Sequence, residues 1–229
     1  MKKVTKLLNP LESEFNVSEI FYSIQGEGTR AGMPCVFVRL QGCELRCKWC
    51  DTPYALQIKQ KELILTGNDI FKEISAFKCN FVTITGGEPL LQKNIKPFVR
   101  FLIDAGYTVS IETNGHQSLR GIDKRAIKIV DFKLPSSGMT DFNNFQNLNY
   151  LHKHDEIKFV IVGETDYEWA KSILSEHSLH LKVDAVIFSP VFGSVEPSKL
   201  AEWILRDNIP VRLQIQLHKH IWEPSRRGV

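Results

Sequence analysis

Apolar, β-branched runs recur along the chain at 35–40 (CVFVRL), 81–85 (FVTIT), 107–113 (YTVSIET), 129–134 (IVDFKL), 157–162 (IKFVIV), 184–191 (DAVIFSPV) and 211–218 (VRLQIQLH). Each is continuous enough to predict a strand buried on both faces. Helical spacing fills the gaps at 66–77, 94–106, 164–177 and 196–208. Thr165 and Glu168 have the spacing of a capping box, and Pro197 falls where a first helical position is expected. Strand and helix taking turns predict a mostly parallel sheet of α/β class, open or closed part-way into an incomplete β/α barrel. Its ligand site is expected at the carboxyl ends of the strands. The polar stretch 135–156 carries no clear helix, and neither a repeat nor a Pro/Gly/Ser-rich linker divides the chain, so one domain over 1–229 is expected.

Composition narrows the class. At 229 residues and 43% hydrophobic content, such a chain buries roughly 70–75% of its unfolded surface and needs no disulfide to fold. The net charge is +3 and the basic residues are dispersed, apart from the short SRR at 225–227; no nucleic-acid partner is expected. The N-terminal MKKVTKLLNP lacks the apolar run of a secretory signal. No stretch approaches the ~18 apolar residues of a membrane span. A cytoplasmic protein without a membrane partner is the expectation. Five cysteines, an odd number and clustered, fit a reducing compartment and a metal role.

Three of those cysteines lie in GCELRCKWCDTPY (42–54): Cys43, Cys47 and Cys50, spaced C-x3-C-x2-C just after a predicted strand. A polar loop is a poor place for three inert thiols. A structural zinc site needs a fourth ligand, from Cys35, Cys79 or a histidine, and the chain has no second C-x2-C pair. A [4Fe–4S] cluster on three thiolates leaves one iron open to a small ligand. Cys35 begins a buried strand and Cys79 sits at a helix end, so neither is expected to bind a cluster.

The spacing, with Trp49 before the last cysteine, resembles the signature of the radical S-adenosylmethionine enzymes, whose fold is a partial β/α barrel. The resemblance implies that S-adenosylmethionine chelates the open iron and is cleaved by an electron from the cluster to a 5′-deoxyadenosyl radical. TGGEP (85–89) follows a strand as the glycine-rich motif of those enzymes does. Gly86, Gly87 and Glu88 are then expected at the methionine amino group, where bare backbone approaches closely and a carboxylate suits an ammonium. SIETNG (110–115) ends a strand in Glu112 and Asn114, polar groups expected near the cofactor ribose. Lys133 is a candidate for the cofactor carboxylate, and Ser189 for the cofactor pocket wall.

The segment from SIQGEG (23–28) through the cysteines, with TGGEPLLQ, IETNG and QLHKHIW, is similar to the 7-carboxy-7-deazaguanine synthases over most of the chain. That resemblance implies conversion of 6-carboxy-5,6,7,8-tetrahydropterin to 7-carboxy-7-deazaguanine with loss of ammonia, in the biosynthesis of queuosine and other 7-deazapurines. It also implies an electron donor such as flavodoxin or ferredoxin, and a homodimer. Gln25, Gly26, Glu27, Gly87 and His218 become candidate substrate residues, with Lys219 and His220 weaker ones. Arg39, charged within a strand, has a substrate carboxylate as its expected partner. Thr52 is expected to ligate Mg²⁺, which takes oxygen ligands and shares its sphere with substrate and water. The competing readings are a glycyl-radical-enzyme activase, which leaves SIQGEG unexplained, and a non-catalytic zinc-stabilised binding module.

Overall fold

The computed structural model describes residues 9–58 and 63–229. Their strands form one nine-stranded sheet, in chain order β1 (Glu14–Ile24), β2 (Pro34–Leu40), β3 (Ile64–Thr66), β4 (Phe81–Gly86), β5 (Thr108–Thr113), β6 (Ile127–Phe132), β7 (Glu156–Ile161), β8 (Ala185–Pro190) and β9 (Arg212–Leu213). The spatial order is β3-β1-β2-β4-β5-β6-β7-β8-β9. β1 runs antiparallel to both its neighbours, and every other pairing is parallel. The two edges do not pair, so the sheet is a barrel left open.

Side chains alternate between its faces, as the strand period requires. Val36, Val38, Val82, Ile84, Val109 and Ile111 point outward into an apolar cluster that receives α1 (Gly67–Ala76) and α2 (Ile95–Asp104). Val130, Phe132, Ile157, Phe159 and Phe188 do the same under α3 (Glu164–Glu176) and α4 (Pro197–Asp207). The inward set carries Thr83, Thr85, Ser110, Glu112, Asp131 and Lys158 beside the apolar Phe37, Ile129 and Val160. Strands that read as uniformly apolar thus have one face that is not.

Two expectations change. The capping box is not at Thr165, because α3 starts at Glu164 with Gly163 as its cap and no side-chain cap bond. Asp166 takes over, accepting the Val162 and Ser136 amides at 3.0 and 2.9 Å. A capping box does form at α1, where Thr66 and Asp69 bond each other's backbone. The long strand 211–218 shrinks to two residues, followed by an irregular segment and the short helix α5 (His218–Ile221). Pro197 occupies the start of α4 as expected, and 135–156 contains short 3₁₀ turns.

β6 and β7 carry the central charges of the concave face, and one buried ion pair ties their amino-terminal ends. Lys128 Nζ lies 2.9 Å from Asp155 Oδ2, with side chains 2% and 0% exposed. Asp155 also accepts the Lys128 and His152 amides. Asp155→Ala leaves a buried ammonium without its partner, and we expect a loss of about 3–5 kcal/mol in equilibrium urea unfolding.

Candidate active site

A cavity of about 650 Å³ occupies the concave face. Two loops enter it from opposite ends of the sheet. The cysteine loop leaves the carboxyl end of β2 and is pinned to the turn after it, with Gly42 N donating to Ala55 O at 2.9 Å and Cys43 N to Leu56 O at 3.1 Å. It is pinned as well to the end of β4: Gly87 N donates to Leu40 O, and Glu88 N donates to Gly42 O at 2.7 Å. This apposition leaves no room for a side chain. A Cβ on Gly87 would fall 2.3 Å from Gly42 O, and one on Gly86, whose φ is +147°, 2.1 Å from Leu40 O.

Cys43, Cys47 and Cys50 are free, half-buried and all line the cavity. Burial pushes the Cys43 thiol up to about 11 and raises that of Cys47, where Lys133 works in the opposite direction. Among the described residues, no three His, Cys, Asp or Glu side chains converge on a point that would hold a single metal ion. Three thiols facing one cavity without converging fit a body of several atoms, whose irons would hold them deprotonated. Trp49 also lines the cavity, and its buried Nε1 finds no partner among the described residues.

Asn114 reaches Cys43 Sγ with its side-chain amide at 3.7 Å. It is held by Glu88, whose carboxylate accepts the Asn114 amide at 2.7 Å, the Leu90 amide at 2.9 Å and the Thr113 hydroxyl at 2.8 Å. Glu88 is fully buried and outside the cavity wall; burial pushes its carboxyl up to about 7 against those three bonds. Its position differs from the expectation of an ammonium-facing carboxylate, because the end of β5 already occupies both oxygens. Ser189 likewise lies buried within β8, and Val160, Val191 and Phe192 form the wall there. Lys133 does line the cavity, 8% exposed, with Nζ 3.0 Å from Asp131 and 5.8 Å from the Trp49 ring centre.

The second loop, 25–33, joins β1 to β2 at the other end and folds inward. Gln25 Nε2 donates to Thr83 Oγ1 and Glu112 Oε1, both at 3.2 Å, so its side chain anchors the loop to the sheet. Thr29 donates its amide and hydroxyl to Glu156. Glu27 lines the cavity, paired with Lys158 and accepting Gln216 Nε2 at 2.7 Å. Burial alone would raise its carboxyl, but Lys158 and the two bonds hold it well below the ordinary range. Glu112 ends up raised, burial outweighing the Lys158 charge.

His218 sits at the start of α5, not at a strand end, because the chain leaves the sheet after Leu213. Its ring packs onto Gly26 so closely that a Cβ there would meet Nδ1 at 2.1 Å. Burial lowers its pKa against the pull of Glu27. Arg39 has a protein partner: Nε donates to Glu19 Oε1 at 2.8 Å, and Tyr54 OH donates to the same oxygen at 2.9 Å. Its guanidinium still lines the cavity and lies over the Phe21 ring. Thr52 lines the cavity with Oγ1 3.9 Å from Cys50 Sγ, beside the exposed Asp51. Lys219 points to that Asp51 at 3.6 Å, and His220 stands edge-on to Phe192 outside the cavity wall.

Lys158, Asp131, Glu19 and Gln216 also line the site, and sequence reasoning passed over them. A lysine at the second position of IKFVIV and an aspartate at the third position of IVDFKL are the available signals. Both interrupt apolar runs, and the parallel register of β6 and β7 sets them opposite each other on one face.

The radical SAM superfamily model matches residues 37–171. A 7-carboxy-7-deazaguanine synthase from Chlorobaculum tepidum is 45% identical, covering 95% of this chain and 99% of that protein. One from Koribacter versatilis is 43% identical over 93% and 99%. The crystal structure of QueE from Escherichia coli aligns with a TM-score of 0.74 at 27% identity, covering 90% of this chain and 95% of that one. No helix among the described residues is long and apolar enough to cross a membrane. The open, mostly parallel barrel, the three thiols on its cavity and these full-length relatives place the chain in the 7-carboxy-7-deazaguanine synthase family of the radical SAM superfamily.

Proposed function

We propose that this enzyme converts 6-carboxy-5,6,7,8-tetrahydropterin to 7-carboxy-7-deazaguanine with loss of ammonia, using a [4Fe–4S] cluster and S-adenosylmethionine. The observation that carries the reading is the meeting, in one cavity, of the cysteine loop with the 25–33 loop, within a chain similar over nearly its whole length to synthases of that name. When bound, the cluster and S-adenosylmethionine supply the one-electron chemistry that makes a carbon radical able to abstract hydrogen.

The chain's own part is holding and orienting. Cys43, Cys47 and Cys50 would hold the cluster through their thiolates. Gly86 and Gly87 present bare backbone to the methionine moiety, while Trp49, Glu112, Asn114 and Lys133 surround the rest. Glu88 acts through Asn114, whose backbone it fixes. Gln25 and Gly26 set the loop, and Glu27 offers carboxylate lone pairs to the N–H edge of the pterin. Arg39 keeps the terminal nitrogens of its guanidinium for the substrate carboxylate, and His218 closes over Gly26. Thr52 would hold Mg²⁺ through its hydroxyl, an oxygen donor of the kind that ion takes. A one-electron donor such as flavodoxin or ferredoxin, a cytoplasmic setting and a homodimer belong to the same reading.

Incubating the reduced protein with S-adenosylmethionine and the carboxypterin tests it: the deazapurine is expected by mass, with S-adenosylmethionine not consumed in proportion. Accumulation of 5′-deoxyadenosine without deazapurine would overturn the assignment. Turnover is expected to rise with Mg²⁺ and to lose most of that response in Thr52→Ala at unchanged iron content; full activity in a strong divalent chelator, with the cluster intact, would remove the metal role. Gly87→Ala must displace the cysteine-loop backbone, so iron retained after anaerobic reconstitution is expected to fall several-fold, as read by iron and sulfide assay.

A further inference from the structure

The segment after β9 reads Gln214, Ile215, Gln216, and both of its amides reach the 25–33 loop. Gln214 grips the peptide at Gly28 from both ends: Gly28 N donates to Oε1, and Nε2 donates to Gly28 O at 2.7 Å. Leu217 N adds a bond to Gly26 O at 3.0 Å. The segment that follows the last strand therefore carries the 25–33 loop.

Gln216 does something different. Its Nε2 donates to Glu27 Oε1 at 2.7 Å and to Asp51 Oδ2 at 3.1 Å. A primary amide has two N–H donors, so both are used, one on each acid. The two carboxylates come from opposite loops, Glu27 from the loop that enters beneath and Asp51 from the position before Thr52. Oxygens sharing one donor nitrogen lie within about 6 Å of each other, and without the amide they face each other as like charges. Glu27 keeps Lys158 on its other oxygen, and a second lone pair on each oxygen stays open to a ligand.

We propose that Gln216 is a positioning residue for pterin recognition. Its amide fixes the Glu27 carboxylate in the plane that meets the N–H edge of the ring, and ties it to Asp51 so that the pterin contact and the Thr52 hydroxyl keep one spacing. This rests on the assignment of Glu27 to the pterin made above.

Binding of the carboxypterin to the full-length, cluster-reconstituted protein is measured by calorimetry with the cluster oxidised, in the presence of S-adenosylmethionine and Mg²⁺. Gln216→Ala is expected to weaken it about tenfold, the scale of one hydrogen bond to a charged group. Gln216→Glu, nearly isosteric, is expected to weaken it at least as much, since three carboxylates then meet. Because Gln216 acts through Glu27, the double variant Gln216→Ala/Glu27→Gln is expected to bind no more weakly than Glu27→Gln alone. Iron content, unfolding midpoint and S-adenosylmethionine affinity are expected to stay at the parent's values, which a merely structural role would not allow. Unchanged pterin affinity in Gln216→Ala, or an additive loss in the double variant, overturns the proposal while Glu27 keeps its role. Parent-like affinity in Glu27→Gln overturns both.

Discussion

Lys158 is the charge around which the concave face is organised. It stands on β7 with Glu27 against it, Asp131 at 3.8 Å and the Glu112 charge acting on it. Burial opposes its ammonium, and these acids overrule burial, raising its pKa. The consequence runs both ways: an inward loop bearing a buried carboxylate is tolerated only because a buried cation meets it. The 25–33 loop can thus lie on the sheet rather than in solvent, and the cavity has a floor.

That floor needs walls, and the sheet supplies them unevenly. Its convex face is sealed by apolar packing under α1 to α4, whereas the concave face keeps Thr, Ser, Asp, Glu and Lys side chains that satisfy one another. Thr83 bonds Gln25 and Ser110, and Thr85 bonds Glu112. These contacts place polar groups where a closed barrel would hold packed aliphatic layers. The open sheet leaves a gap between its two edges, and the bonds from Gln214 to Gly28 and from Leu217 to Gly26 cross from the last strand to the first hairpin.

At the opposite end the limiting quantity is backbone separation. Gly86 and Gly87 lie so near Leu40 and Gly42 that any side chain would collide with peptide oxygen, not with a movable group. The cysteine loop and the glycine-rich turn are consequently one unit, and Glu88 extends that unit to Asn114. Thiols, bare backbone and amide are set against each other by fixed peptide bonds, which is the rigidity a radical centre requires of its surroundings.

Much of this was legible beforehand. Continuous apolar runs and helical spacing suffice for the order of parallel strands and helices, because those periods are local properties of the chain. The three cysteines, TGGEP, IETNG and SIQGEG are local as well, and all of them converge on one cavity or, like Glu88, directly behind its wall. What the sequence could not decide is who partners whom. Arg39 meets Glu19 across a hairpin, and Gln25 turns to Thr83 and Glu112. Glu88 turns away from the cavity, and Gln216 joins residues 165 and 189 positions away. The short β9 belongs to the same class, since its length is set by where the chain must leave the sheet to carry the inward loop. Periodicity and motif spacing act over a few residues and are written in the chain; charge pairing and close backbone approach act through space, so only the folded sheet, by bringing β5, β6, β7 and two opposed loops within a few ångströms, settles them.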